Sequence, residues 1–201
     1  MVLIIVVLTS IVSVLAFYNK ELAEKLCLKP NLVYHRFHVH RILTHSLIHA
    51  DWVHLIVNMY VLYIFGEVCI NYFALHFGER TNFYFFQLYI FSLIVSSLYS
   101  VFKHRNNPYY SAVGASGGVM AVVFTSIFFD PWNKLWFFGI IPVPGIIFGI
   151  LYLGYSIYMA KKNADNIGHD AHFTGAIFGF IYPLLINPHL IEQFIDKLLM
   201  R

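Results

Sequence analysis

The sequence predicts an all-α membrane protein, a single domain over 1–201 built as a bundle of six transmembrane helices. A structured interfacial loop joins the first two spans. Three observations lead there. Hydrophobic residues make up 59% of the chain and charged residues only 11%, against about 25% charged in an ordinary soluble domain. The apolar residues gather into six stretches with no long polar insert between them. Polar side chains capable of chemistry recur at the starts of alternate stretches.

The first span, 2–17, is apolar from its second residue and lacks both a basic n-region and a small-x-small cleavage site, so it reads as a retained helix. The segment 18–51 mixes Lys20, Lys25, Lys29, Arg36, Arg41 and five histidines with interleaved Leu, Val, Tyr, Phe and Ile. It is too apolar for a free tail and too charged for a span, which points to a folded unit at the membrane surface. A crossing helix needs about 20 apolar residues. The second span (52–73), the third (81–102) and the fifth (135–160) meet that length, the fifth bent or broken around Pro142, Pro144 and Gly145. The fourth (115–129) and sixth (171–186) are short and rich in Gly and Ala, which suits central helices shielded by others. The tail 187–201 alternates apolar and charged residues at helical spacing and reads as a short amphipathic helix. Six spans place both termini on one side.

The net charge of +3 is scattered, without a dense basic tract, and argues against a nucleic-acid partner. Cys27 and Cys69 lack CxxC spacing, so neither a disulfide framework nor a zinc ribbon is indicated. Nine of the thirteen Lys and Arg residues fall in loops after odd-numbered spans: Lys20, Lys25, Lys29, Arg36, Arg41, Lys103, Arg105, Lys161 and Lys162. By the positive-inside rule this bias puts those loops in the cytoplasm.

Polar groups within spans are expensive and mark function. Three sets stand out: Gly114-Ala115-Ser116-Gly117-Gly118, His172 with Gly175 and Gly179, and His54 with Asn58. All lie at span beginnings after odd loops, so six-span counting converges them on one membrane face. A serine hydroxyl becomes a nucleophile when a base, usually His, takes its proton. His172, Gly175 and Gly179 share one helix face, and the GxxxG step brings backbones close enough to place the imidazole on Ser116. Acyl transfer also needs donors for an oxyanion, which His54, Asn58 and a backbone N–H near Ser116 can supply. Each set alone has a structural reading, as helix packing or an interhelical hydrogen bond; catalysis is favoured by the three together. His169 is a competing base, placed in the loop, whereas His172 shares the glycine face and is preferred. No carboxylate takes a third place, since Asp165 and Asp170 read as loop residues, so a Ser–His dyad is expected. His45 and His49, at i and i+4 near His54, have neither an HExxH pattern nor a carboxylate at ligand spacing; a hydrogen-bonded scaffold without metal is expected. Glu67 needs a partner within the bilayer, and Arg41 is the expected one.

The ordered set Thr44-His45 with His49, His54-x-x-x-Asn58, Gly114-Ala115-Ser116-Gly117 and Ala171-His172-x-x-Gly175-x-x-x-Gly179 resembles the rhomboid intramembrane proteases over about 41–180. The resemblance implies the basic six-span bacterial form, and hence a multi-pass protein of the bacterial inner membrane. Ser116 is then the nucleophile and His172 the base, with His54, Asn58 and the Ser116 backbone as the oxyanion hole. It further implies cofactor-free cleavage of transmembrane protein substrates in or near the lipid bilayer. The site opens to the outer face beneath a loop and a mobile fifth span, opposite to the orientation the charge bias suggests. Two positions depart from the family pattern: His40 stands where a Trp usually precedes Arg41, and Met120 where an aromatic often packs on the histidine.

Overall fold

The computed structural model describes residues 1–137, 140–162 and 168–200. Ten α-helices are described there: α1 (Val2–Tyr18), α2 (Lys20–Leu26), α3 (Pro30–Arg36), α4 (Arg41–Thr44), α5 (Trp52–Phe77), α6 (Thr81–His104), α7 (Ser116–Phe129), α8 (Gly145–Lys162), α9 (His169–Ile186) and α10 (Leu190–Leu198). A hairpin of β1 (Lys134–Phe137) and β2 (Ile141–Pro144) precedes α8.

The centre of the bundle is α7. It is buried along nearly its whole length, with Val119, Ala121, Val122 and Phe128 almost fully covered. Its most extensive partner is α9, and α5 and α6 close around it. Small residues set this closeness. A Cβ on Gly175 would overlap the carbonyl of Gly117, and one on Gly179 would overlap that of Ala121. Lower in the same seam the Thr125 hydroxyl donates to the Gly179 carbonyl at 2.7 Å. By length and hydropathy, the stretch Trp52–His104 is apolar enough to cross a bilayer, and it folds as α5 and α6 joined by a 3-10 turn at Gly78–Arg80. Val2–Tyr18 and Ser116–Phe129 are apolar but shorter.

The segment between α1 and α5 folds as three short helices and a 3-10 turn, His45–Leu47. Asn19 caps α2 by accepting from the Leu22 N–H, and Asp51 caps α5 by accepting from the His54 N–H at 2.8 Å. The Arg41 guanidinium, buried, donates to the carbonyls of Glu24 (2.8 Å) and Cys27 (2.7 Å). Thr44 donates to Leu26. Leu28 bridges Ala112 through two backbone hydrogen bonds, tying this segment to the strand-like approach to α7.

Three expectations are corrected. The fifth helix begins at Gly145, not residue 135, because the stretch before it pairs as the β1–β2 hairpin; Pro142 and Pro144 provide no N–H for a helical ladder. Arg41 does not pair with Glu67. Its guanidinium is committed to loop carbonyls, whereas Glu67 lies fifteen residues into α5, about 22 Å along its axis at 1.5 Å per residue, and is exposed. His169 and Asp170 belong to the first turn of α9 and not to a loop. Asp165 lies outside the described residues.

Candidate active site

Ser116 is the first residue of α7 and His172 lies in the first turn of α9. The seam of Gly117, Gly175 and Gly179 brings these two helix starts together. The His172 Nε2 and the Ser116 Oγ are 2.6 Å apart, both half-buried. That is hydrogen-bond distance for a hydroxyl whose proton an imidazole can take. The ring of His169, first in the same helix, sits edge-on to His172 with centroids 6.0 Å apart, and edge-on to Tyr155 at 5.5 Å. The geometry thus pairs the serine with His172. The Asp170 carboxylate forms an ion pair with Lys103 of α6.

The approach to Ser116 is held by the histidine-rich loop. The Gly114 N–H donates to the His45 carbonyl at 2.9 Å. Gly114 itself has φ +113, a conformation that side chains avoid, and a Cβ there would strike the His54 imidazole at 2.7 Å. The next N–H, of Ala115, donates to Nε2 of His49 at 3.4 Å. The tautomer of His49 follows from its other neighbour. The Ser13 hydroxyl donates to the Leu47 carbonyl, so it accepts from His49 Nδ1–H at 2.9 Å, which leaves Nε2 as the acceptor Ala115 needs. Burial lowers the pKa of His49 to about 3 and that of His45 to about 4, so both are neutral near pH 7. His45 Nδ1 in turn donates to the Arg41 carbonyl at 3.1 Å. Both imidazoles are therefore engaged as spacers between the loop and the start of α7.

His54 and Asn58 lie in the first two turns of α5. The His54 ring meets His49 edge-on at 4.9 Å and borders Gly114, two residues before the serine. The Asn58 side chain is buried and donates to the His54 carbonyl at 2.9 Å, which uses one of its two N–H groups. Glu67 is the one proposed support residue that the fold leaves apart from this cluster.

Sequence reasoning missed three participants. Ser13 of α1 orients His49, but a serine in an apolar helix carries no sign of its partner. Ser96 of α6 lies against Gly117, where an added Cβ would meet its hydroxyl. Tyr152 of α8 stacks near His172, with ring centroids 6.5 Å apart and an interplanar angle of 24°. Met120 leaves a vacancy in the family pattern that signals a need for such a ring. Nothing in the sequence says that α8 supplies it.

A Rhomboid domain model matches residues 36–189. RHOMBOID-like protein 12, mitochondrial, of Arabidopsis thaliana is 28% identical over 153 residues, covering 69% of this chain and 44% of that protein. Rhomboid-like protein 11, chloroplastic, from the same plant is 26% identical over 176 residues, 80% of this chain and 57% of its own length. Presenilin-associated rhomboid-like protein A, mitochondrial, of Danio rerio is 29% identical over 152 residues, 68% and 35% respectively. The chain spans about half the length, or less, of these curated relatives.

Proposed function

The chain belongs to the rhomboid family and is a helical membrane protein, and on that premise we propose that it is an intramembrane serine endopeptidase with a Ser116–His172 dyad. The observation that carries the reading is the 2.6 Å approach of His172 Nε2 to Ser116 Oγ. In the proposed reaction His172 takes the hydroxyl proton as Ser116 Oγ attacks the carbonyl carbon of the scissile peptide bond. The oxyanion forms near the free N–H groups at the start of α7, with the second Asn58 N–H and the His54 imidazole as further donors. His172 then gives the proton to the departing amine as the peptide C–N bond breaks. Water, deprotonated by the same imidazole, attacks the acyl carbonyl. The ester bond to Ser116 Oγ breaks, and the imidazole returns the proton to Oγ as the carboxylic acid product leaves. No cofactor or metal enters these steps. Tyr152, stacked near the ring, and the fixed start of α9 help orient the imidazole.

The substrates of this reading are transmembrane segments of other proteins, reached within the bilayer by six spans, α1, α5, α6, α7, α8 and α9. Arg41, His45, His49 and Gly114 hold the loop that positions Ser116, and Gly175 and Gly179 hold α9 against α7. The site lies on the face served by the loops after α1, α6 and α8, and we assign that face to the outside. The expected bacterial inner membrane gains no support from the relatives, whose names place them in mitochondria and a chloroplast.

A proteoliposome assay with a model transmembrane substrate tests the reading. Cleavage lost in both Ser116→Ala and His172→Ala is the expected result. Undiminished cleavage by Ser116→Ala overturns the assignment, and a wild-type protein that holds such segments without cutting them indicates a non-proteolytic client binder.

A further inference from the structure

The proposed chemistry leaves the charge bias unexplained. Two of the nine cations on the active-site side, Lys103 and Lys161, line a cavity of about 280 Å³ between α6, α8 and α9. Its other walls include Tyr99, Ile157, Asp170 and Phe173. The volume is far above the share of one water, about 30 Å³ in the liquid.

The cavity has an ordered polarity. Lys103 is the penultimate residue of α6, Lys161 the penultimate residue of α8, and Asp170 the second residue of α9. These helix ends lie on the same side of the chain, so the charged groups form a rim at one level. Tyr99 and Ile157 stand four residues deeper in their helices, about 6 Å at 1.5 Å per residue, and Phe173 lies one turn into α9. Among the described residues the rim carries two lysines against one aspartate, leaving one positive charge. Asp170 is paired with Lys103, while Lys161 makes no ion pair among the described residues. A cationic rim above an apolar floor at the end of a membrane helix bundle matches a phosphate ester joined to a hydrocarbon chain.

We infer that this cavity binds the headgroup of an anionic phospholipid, its phosphate on Lys161 and Lys103 and the start of an acyl chain against Ile157 and Phe173. The site explains part of the cation excess on a face that the proposed orientation puts outside. An anionic headgroup at this rim also abuts the first turn of α9, which carries His172.

Binding is measured on the full chain as Ser116→Ala in detergent, with bound lipid counted by native mass spectrometry, so that the outcome is independent of proteolysis. The probes are phosphatidylglycerol, phosphatidylcholine and water-soluble glycerol 3-phosphate. Saturable binding of phosphatidylglycerol, tighter than that of phosphatidylcholine, is expected. Lys161→Gln should weaken it about fivefold, the worth of one surface lysine against an anionic lipid, and Lys103→Gln/Lys161→Gln further still. Lys134→Gln, in β1 outside the cavity, should leave it unchanged. Equal losses in Lys161→Gln and Lys134→Gln, or no loss in either, overturn the site. Glycerol 3-phosphate binding as tightly as the lipid overturns the acyl-chain part and leaves a phosphate pocket. Should the double variant misfold, Lys161→Gln alone decides.

Discussion

Two regions of this molecule are built around histidines, and they use the same side chain in opposite ways. In the loop between α1 and α5, the nitrogens of His49 are committed, one donating to Ser13 and the other accepting from Ala115. His45 donates to Arg41 in the same buried setting. Burial keeps both neutral, and their work is to fix the backbone that delivers Ser116. At the start of α9, His172 is only half-buried, and its Nε2 faces a serine hydroxyl, a partner whose proton can move. A histidine becomes a base when a nitrogen is aimed at a transferable proton; it becomes scaffold when its nitrogens are spent on groups whose protons stay put.

The largest effects should separate these roles. Ser116→Ala and His172→Ala should each lower turnover of a transmembrane substrate by at least about 10³-fold, the scale seen when members of a catalytic serine–histidine set are removed. Their melting behaviour should stay close to that of the wild type. The glycine seam comes next. Gly175→Val places atoms on the Gly117 carbonyl, where backbone cannot give way, so a loss of more than about 3 kcal/mol is expected, read as a collapse of folded yield in detergent.

His49→Ala should invert the pattern of His172→Ala. It strips the Ser13 hydroxyl and the Ala115 N–H of a buried partner, costing about 1–3 kcal/mol. Thermal stability should fall first, with turnover falling only through the loosened serine. A catalytic His49 would give the reverse, full stability with abolished turnover.

The scaffold histidines also set a pH window. Their folded pKa values, about 4 for His45 and about 3 for His49, lie below the ordinary value of 6.5. Above pH 6.5 both are neutral whether folded or not, and their titration contributes nothing. As pH drops below 6.5 the unfolded imidazoles take up protons that the folded ones refuse. Stability should then decline by up to about 1.4 kcal/mol per unit and per histidine, until the folded groups titrate near 4 and 3. A His49→Gln variant should show a shallower decline in chemical-denaturation midpoints between pH 6.5 and 4. An equal slope would mean that His49 is already protonated or exposed. The smallest effect is reserved for His169→Ala, under tenfold on turnover, because the ring packs against Tyr155 and His172 and the serine is held by His172.

Much of this was legible in the sequence, for identifiable reasons. Long apolar runs fixed where α5 and α6 fall, and Gly175-x-x-x-Gly179 announced a close backbone contact whose partner turned out to be Gly117 and Ala121. Span counting alone put Ser116, His172 and His54 on one side. Legibility failed where the partner is distant in sequence and chemically plain. Nothing in Ser13 points to His49, and nothing in Tyr152 points to His172. The assignment of Arg41 to Glu67 failed because charge complementarity says nothing of depth; the guanidinium found carbonyls fourteen and seventeen residues away in its own loop. The hairpin before α8 was hidden because an apolar run containing two prolines scores as a span until its hydrogen bonds are counted.

The central claim is that His172, and neither His169 nor the loop histidines, makes Ser116 a nucleophile. Labelling of the detergent-solubilised protein with a fluorophosphonate probe tests it most directly. Wild type and His169→Ala should label at Ser116, His172→Ala should label at a rate at least about 10²-fold slower, and Ser116→Ala should not label. Equal labelling of His172→Ala and wild type, or loss of labelling only in His169→Ala, would contradict it.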